Sequence, residues 1–159
     1  AASATPLTTT RQRMTAPAAP TPSLDHALAA DGPVVAAIRS AFPDALAIHA
    51  FGSRIQGMAR SDSDLDLAVL VAGYADPLKL WDTANHLAGI VGCAVELLDL
   101  RAASTVMQHQ VLTQGRRLWA EEREAALFEC FVMSEKNALD AARAGLLADI
   151  AQEGKVYGG

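Results

Sequence analysis

The chain has 159 residues, of which 51% are hydrophobic, and a formal net charge of −5 with an isoelectric point near 5.2. This length predicts one domain with a single core, and the acidic balance argues against a wide basic face for gripping nucleic acid. No apolar run approaches the ~18 residues that span a membrane. The two cysteines, Cys93 and Cys130, cannot form a disulfide framework. We therefore expect reduced core thiols and a cytoplasmic protein.

The start of the chain differs in composition from the rest. Residues 1–22 are rich in Ala, Thr and Pro and contain no continuous apolar segment of the kind found in secretory signals. This composition cannot support a hydrophobic core, so residues 1–22 are predicted to be a disordered tail. Residues 23–159 are predicted to form the folded domain.

The rest of the chain alternates short apolar runs with amphipathic segments. The apolar runs predict strands at 45–51, 65–71 and 94–100, and a short edge strand at 117–120. The segments with helical spacing predict helices that begin near Pro33 and that cover 78–91, 103–112 and 121–151. This order predicts an α+β fold, a small mixed β-sheet flanked by helices.

The last predicted helix is the longest. Gly154 is expected to end it, and its apolar stripe is expected to pack into the core. The stripe consists of Phe128, Phe131, Leu139, Ala142, Leu146 and Ile150.

Two carboxylates stand where the second strand begins. Because side chains alternate along a strand, Asp64 and Asp66 should share one face while Leu65 and Leu67 share the other. Two adjacent acids at the start of an apolar strand are costly to bury, so a cation should neutralise them. Mg²⁺ is often held by one or two carboxylates together with substrate phosphates. A pair of such ions can stabilise both the attacking and the leaving oxygen at phosphorus.

A glycine–serine pair, Gly52-Ser53, follows the first strand. Glycine allows close approach of the backbone to a ligand, and N–H groups at a helix start together with a hydroxyl favour phosphate. Arg54 and Arg60 can add charge-assisted contacts to the same phosphates. An ion pair between Arg54 and Asp62, and a purely structural role for Arg60, remain open.

The third strand offers another acid. If it lies beside the second strand, Glu96 can point toward the Asp64–Asp66 pair and share a metal or accept a proton. Asp99 has the opposite strand parity, and we favour a capping role for it. His49 precedes the glycine–serine pair and can lie near the site, although a satisfied core or surface histidine is the commoner case.

The pattern of Gly52-Ser53, ten further residues and Asp64-x-Asp66 resembles the signature of the polymerase β nucleotidyltransferase superfamily. The fuller segment from Phe51 to Leu67 is similar to that of its minimal members, the MNT antitoxins, and the resemblance spans roughly residues 28–158. It implies a polymerase β-like fold with a long C-terminal helix. It also implies that Ser53 binds phosphate and that Asp64 and Asp66 hold Mg²⁺. Glu96 occupies the third-acid position, where the family usually has Asp.

The same resemblance implies a function. MNT antitoxins transfer AMP from ATP to a tyrosine of a partner HEPN ribonuclease toxin and so neutralise it. The chain is then expected to act in a hetero-oligomer with its toxin, with ATP as co-substrate and without direct nucleic-acid or membrane contact. Two alternatives remain, an antitoxin that acts by binding alone and a nucleotidyltransferase for small molecules such as aminoglycosides. Little chain remains beyond the catalytic fold to hold a small acceptor, which favours a protein acceptor.

Overall fold

A computed structural model of the chain describes residues 23–60 and 62–157. The predicted tail, residues 1–22, lies outside the described residues, so its disorder stays a prediction. The described elements, in chain order, are α1 (Leu24–Ala27), α2 (Pro33–Ala41), β1 (Ala45–Phe51), β2 (Leu65–Val71), α3 (Pro77–Val91), β3 (Val95–Asp99), α4 (Thr105–Gln114), β4 (Arg116–Ala120) and α5 (Glu122–Tyr157). The predicted α+β class is confirmed.

The strands form one mixed sheet in the order β3-β2-β1-β4. β1 is antiparallel to both β2 and β4, whereas β2 and β3 are parallel. Parallel neighbours need a long crossover, and α3 supplies it between β2 and β3. The predicted edge strand near residue 117 is therefore correct, and β3 forms the opposite edge.

Helices cover both faces of the sheet. Leu65 and Leu67 of β2 are fully buried on the face packed against α1, α2 and α3. Ala68 and Leu70 are buried on the other face, beneath α4 and the first part of α5. β2 is thus apolar on both sides, except where Asp66 lies near its first residue.

The start of α3 is fixed by its own sequence. Pro77 occupies the first turn, and the Asp76 side chain accepts a hydrogen bond of 3.0 Å from the Leu78 N–H. Gly92, with φ of 76°, ends the helix in the left-handed conformation. Pro77, Leu80 and Ala84 of this helix lie across a cavity from Val95 and Leu97 of β3.

The long helix α5 differs from the prediction in two respects. It continues through Gly154 to Tyr157, and only its first part belongs to the core. Phe128 is 6% exposed, whereas Leu146 and Ile150 are 61% and 55% exposed. A helix of 36 residues is about 54 Å long, and residues 140–154 are all exposed. The prediction that the whole stripe is core is therefore wrong.

The cysteine prediction is also wrong in part. Both thiols are free, but Cys130 is exposed on α5 and Cys93 is half-buried. None of the helices within the described ranges combines the length and apolarity needed to cross a membrane.

Candidate active site

The candidate site forms where β2 begins. Asp66 is the register partner of Glu96 on the parallel strand β3. Register partners point to the same face of a sheet, and Glu96 lies close enough for its charge to act on Asp66. Asp64 is exposed one residue before β2, close enough for its charge to act on Asp66. The structure thus places the three predicted acids at one end of the sheet.

The electrostatics of these acids favour a cation. Burial raises the pKa of Asp66 above its ordinary value, and the neighbouring charges of Glu96 and Asp64 raise it further. Among the described residues, no three His, Cys, Asp or Glu side chains are grouped in a way that could hold a metal ion. The donor set is nevertheless made only of carboxylate oxygens, which suit Mg²⁺.

The glycine–serine turn packs directly on the carboxylates. Gly52 has φ of 81°, and its carbonyl accepts hydrogen bonds of 3.1 Å from the N–H groups of Ile55 and Gln56. This forms the single helical turn expected after β1. A Cβ at Gly52 would overlap Oδ2 of Asp66. Glycine is therefore required both by the left-handed backbone and by the close approach of the turn to the site.

The loop between the turn and β2 is braced by its own polar groups. Nε of Arg54 donates a hydrogen bond of 2.8 Å to the Ser63 carbonyl, and Oγ of Ser63 accepts one of 2.8 Å from the Arg60 N–H. Arg54 thus bonds the backbone just before Asp64, and the alternative ion pair with Asp62 does not form in the described part of the chain. The Arg60 side chain is exposed, so its phosphate contact stays a prediction.

Asp99 lies on the opposite face, as its strand parity predicted. It is buried and pairs in register with Val69 on the α3 side of the sheet. Its carboxylate accepts hydrogen bonds from the N–H groups of Ala75, at 2.8 Å, and Arg101, at 3.0 Å. Asp99 therefore holds two loops together and does not join the site.

His49 lies on the site's face of the sheet but within the core. It pairs in register with Ala68 and Arg117 and is 3% exposed. Burial, and then the positive charge of Arg117, lower its pKa from 6.5 to about 4. His49 is therefore neutral at pH 7 and serves as a packing residue.

The buried imidazole predicts a loss of stability in mild acid. Between pH 6.5 and pH 4 the unfolded chain protonates His49 and the folded chain does not, so the free energy of unfolding falls as the pH drops through this window. The expected contribution between pH 7.5 and pH 5 is about 2 kcal/mol. Urea unfolding of wild type and His49→Leu at both pH values measures it. The same pH dependence in both proteins would contradict it.

Sequence reasoning missed one feature beside the carboxylates. A cavity of about 440 Å³ lies between β3 and the first half of α3, with Asp64 and Glu96 in its wall. Trp81 also lines it, although 66% of that residue is exposed. The available signal was a tryptophan on α3 outside the apolar stripe of Leu80, Ala84, Leu87 and Val91.

A mixed sheet that brings a glycine–serine turn and an Asp-x-Asp pair to one end is the architecture of a nucleotidyltransferase. The family model described as "Polymerase beta, Nucleotidyltransferase" matches residues 35–124. The chain belongs to this family.

Similar proteins and solved structures indicate which group of nucleotidyltransferases this chain resembles. Protein adenylyltransferase MntA of Shewanella oneidensis is 37% identical over 117 residues, which are 74% of this chain and 84% of MntA. A crystal structure of a toxin–antitoxin with AMP-PNP contains a chain with 37% identity and a TM-score of 0.66, covering 74% of this chain and 94% of that one. A structure of a tri-AMPylated S. oneidensis HEPN toxin in complex with an MNT antitoxin matches at 34% identity and a TM-score of 0.61, covering 74% and 92%. The predicted resemblance to MNT antitoxins is confirmed.

Proposed function

We propose that this chain is an antitoxin that transfers AMP from ATP to a tyrosine hydroxyl of a partner HEPN toxin and thereby neutralises the toxin. The observation that carries the proposal is the contact of the Gly52-Ser53 turn with Asp66, which is the register partner of Glu96 on the neighbouring strand. A phosphate-binding turn and a carboxylate cluster in contact are what phosphoryl-group chemistry requires. The MntA relative and the AMPylated toxin complex support the same activity.

Each candidate residue has a place in the reaction. The Ser53 hydroxyl and the backbone N–H groups of its turn bind the triphosphate, with Arg54 and Arg60 as further phosphate contacts. Asp64, Asp66 and Glu96 would hold the magnesium ions, which when bound lower the pKa of the attacking hydroxyl and offset charge in the transition state. ATP as the nucleotide is supported by the AMP-PNP complex.

The transfer is a displacement at the α-phosphorus. The acceptor oxygen forms a bond to this phosphorus while the bond to the bridging oxygen of the β-phosphate breaks, and pyrophosphate leaves with that oxygen. The proton of the hydroxyl passes to Glu96, whose extra methylene relative to Asp carries its carboxylate outward from β3. Glu96 is exposed and is therefore open to an acceptor.

Binding without catalysis is the second candidate function. The exposed apolar side chains of α5, including Leu146, Leu147 and Ile150, favour a surface that docks a partner. Such docking is compatible with transfer and can also neutralise a toxin by covering it. The intact contact between Gly52 and Asp66 favours transfer, because binding alone does not need it.

A single assay separates these functions. The purified chain is incubated with Mg-ATP and a purified HEPN toxin, and intact masses are read. We expect the toxin to gain one or more adenylate groups, and we expect a chelator of Mg²⁺ to prevent the gain. A stable complex of unchanged mass would contradict transfer and support binding alone. Adenylation of an aminoglycoside, with the toxin unmodified, would contradict both antitoxin functions.

A further inference from the structure

The cavity between β3 and α3 has both charged and apolar side chains in its lining. Asp64 and Glu96, two acids of the candidate site, are part of this lining. The remainder is apolar and consists of Pro77, Leu80, Trp81, Ala84, Val95 and Leu97. The cavity measures about 440 Å³, within the range of ligand-binding pockets. The apolar side chains of this cavity have no role in binding the triphosphate or the magnesium ions.

The sheet order indicates what enters this cavity. The Gly52-Ser53 turn follows β1, the Asp pair lies at β2, and Glu96 lies on β3, beyond which the cavity opens. Displacement at phosphorus places the attacking and leaving oxygens on opposite sides of the phosphorus atom. With the leaving pyrophosphate held at the turn, the attacking hydroxyl arrives from the β3 side. The cavity lies on that side.

Trp81 is available to a ligand rather than needed by the fold. Its neighbours on α3, Ala84 and Leu87, are buried against the sheet, whereas Trp81 and Leu78 are 66% and 67% exposed. Adjacent large apolar side chains left in water beside a cavity are typical of a recognition surface. Tryptophan also pairs well with another aromatic ring in offset or edge-to-face geometry.

We propose that this cavity is the acceptor subsite and binds the ring of the tyrosine that receives AMP, an inference that rests on the proposed function. The apolar part of the lining contacts the phenol ring, with Trp81 and Leu80 as its main contacts. The phenol oxygen then lies toward the two carboxylates of the lining, Asp64 and Glu96. A phenol, apolar on its ring and polar at one end, matches a cavity lined by apolar side chains and two carboxylates.

The test separates acceptor binding from nucleotide binding. Trp81→Ala and Trp81→Phe are assayed for AMP transfer to the purified HEPN toxin, with KM for the toxin and Kd for Mg-ATP measured separately. We expect Trp81→Ala to lower kcat/KM for the toxin by about 10-fold or more, through a higher KM, with Mg-ATP binding unchanged. Trp81→Phe, which keeps an aromatic ring, should retain most of the activity. Tyr74→Ala is the control, since Tyr74 is 75% exposed and does not line the cavity.

Three outcomes would overturn the inference. The first is a wild-type rate in Trp81→Ala. The second is a parallel loss of Mg-ATP binding, which would assign the cavity to the nucleoside. The third is an equal loss in Tyr74→Ala, which would show a general docking effect. If the wild-type protein adenylates the toxin, each of these outcomes rejects the acceptor subsite but not the proposed function. If the wild-type protein never modifies the toxin, both the proposed function and the acceptor subsite are rejected.

Discussion

Replacing both Asp64 and Asp66 with alanine is expected to lower AMP transfer to the toxin by about 10³-fold or more while the chain stays folded. The two carboxylates would hold the metal ions that the reaction needs, and Glu96 alone is a weak magnesium site. The fold should tolerate the change, because Asp64 is exposed and the raised pKa of Asp66 shows that its charge is disfavoured in the folded state. Intact mass of the toxin and circular dichroism of the variant measure the two effects.

Asp62→Ala is the matched control for the double variant. Asp62 is exposed two residues before Asp64, outside β2 and outside the carboxylate cluster. It should retain transfer, and the double variant should still co-purify with the toxin, because docking does not depend on the metal site. Undiminished transfer by the double variant would refute the assignment of these two acids.

Gly52→Ala is expected to lower transfer by about 10²-fold or more, although it adds a single methyl group. The new Cβ would overlap Oδ2 of Asp66, so the turn or the carboxylate must move. Movement of either one separates the phosphate-binding turn from the metal-binding acids. Transfer rate and thermal stability of the variant give the effect.

Gly57→Ala is the control that distinguishes the effect of the overlap with Asp66 from the effect of backbone strain. Gly57 has a similar φ of 73°, but a Cβ there meets no atom within 4 Å. Both variants therefore share a left-handed backbone that costs an alanine roughly 1–2 kcal/mol, and only Gly52→Ala disturbs Asp66. We expect Gly57→Ala to be slightly less stable than wild type and still active. Equal losses of activity in the two variants would show that strain alone explains them.

The sequence alone determined the local features of the site. The alternation of Asp64 and Asp66 with Leu65 and Leu67 predicted which face of β2 carries the acids, and the structure has Asp66 on the face opposite the buried Leu65 and Leu67, with Asp64 one residue before the strand. Strand parity likewise predicted that Glu96 and Asp99 lie on opposite faces of β3, and the register of β3 with β2 agrees. These predictions succeeded because a strand repeats every two residues, so a side chain's face follows from its position.

Only the tertiary structure decided the contacts between distant segments. The overlap that a Cβ at Gly52 would make with Asp66, the hydrogen bond from Arg54 to Ser63, and the cavity beside Trp81 all depend on how separate segments pack. The exposure of Leu146 also depends on tertiary packing. Helical spacing predicts that an apolar stripe exists, but it does not predict whether another part of the protein covers that stripe. Periodicity is a property of neighbouring residues, whereas burial and contact are set by residues far away in the chain.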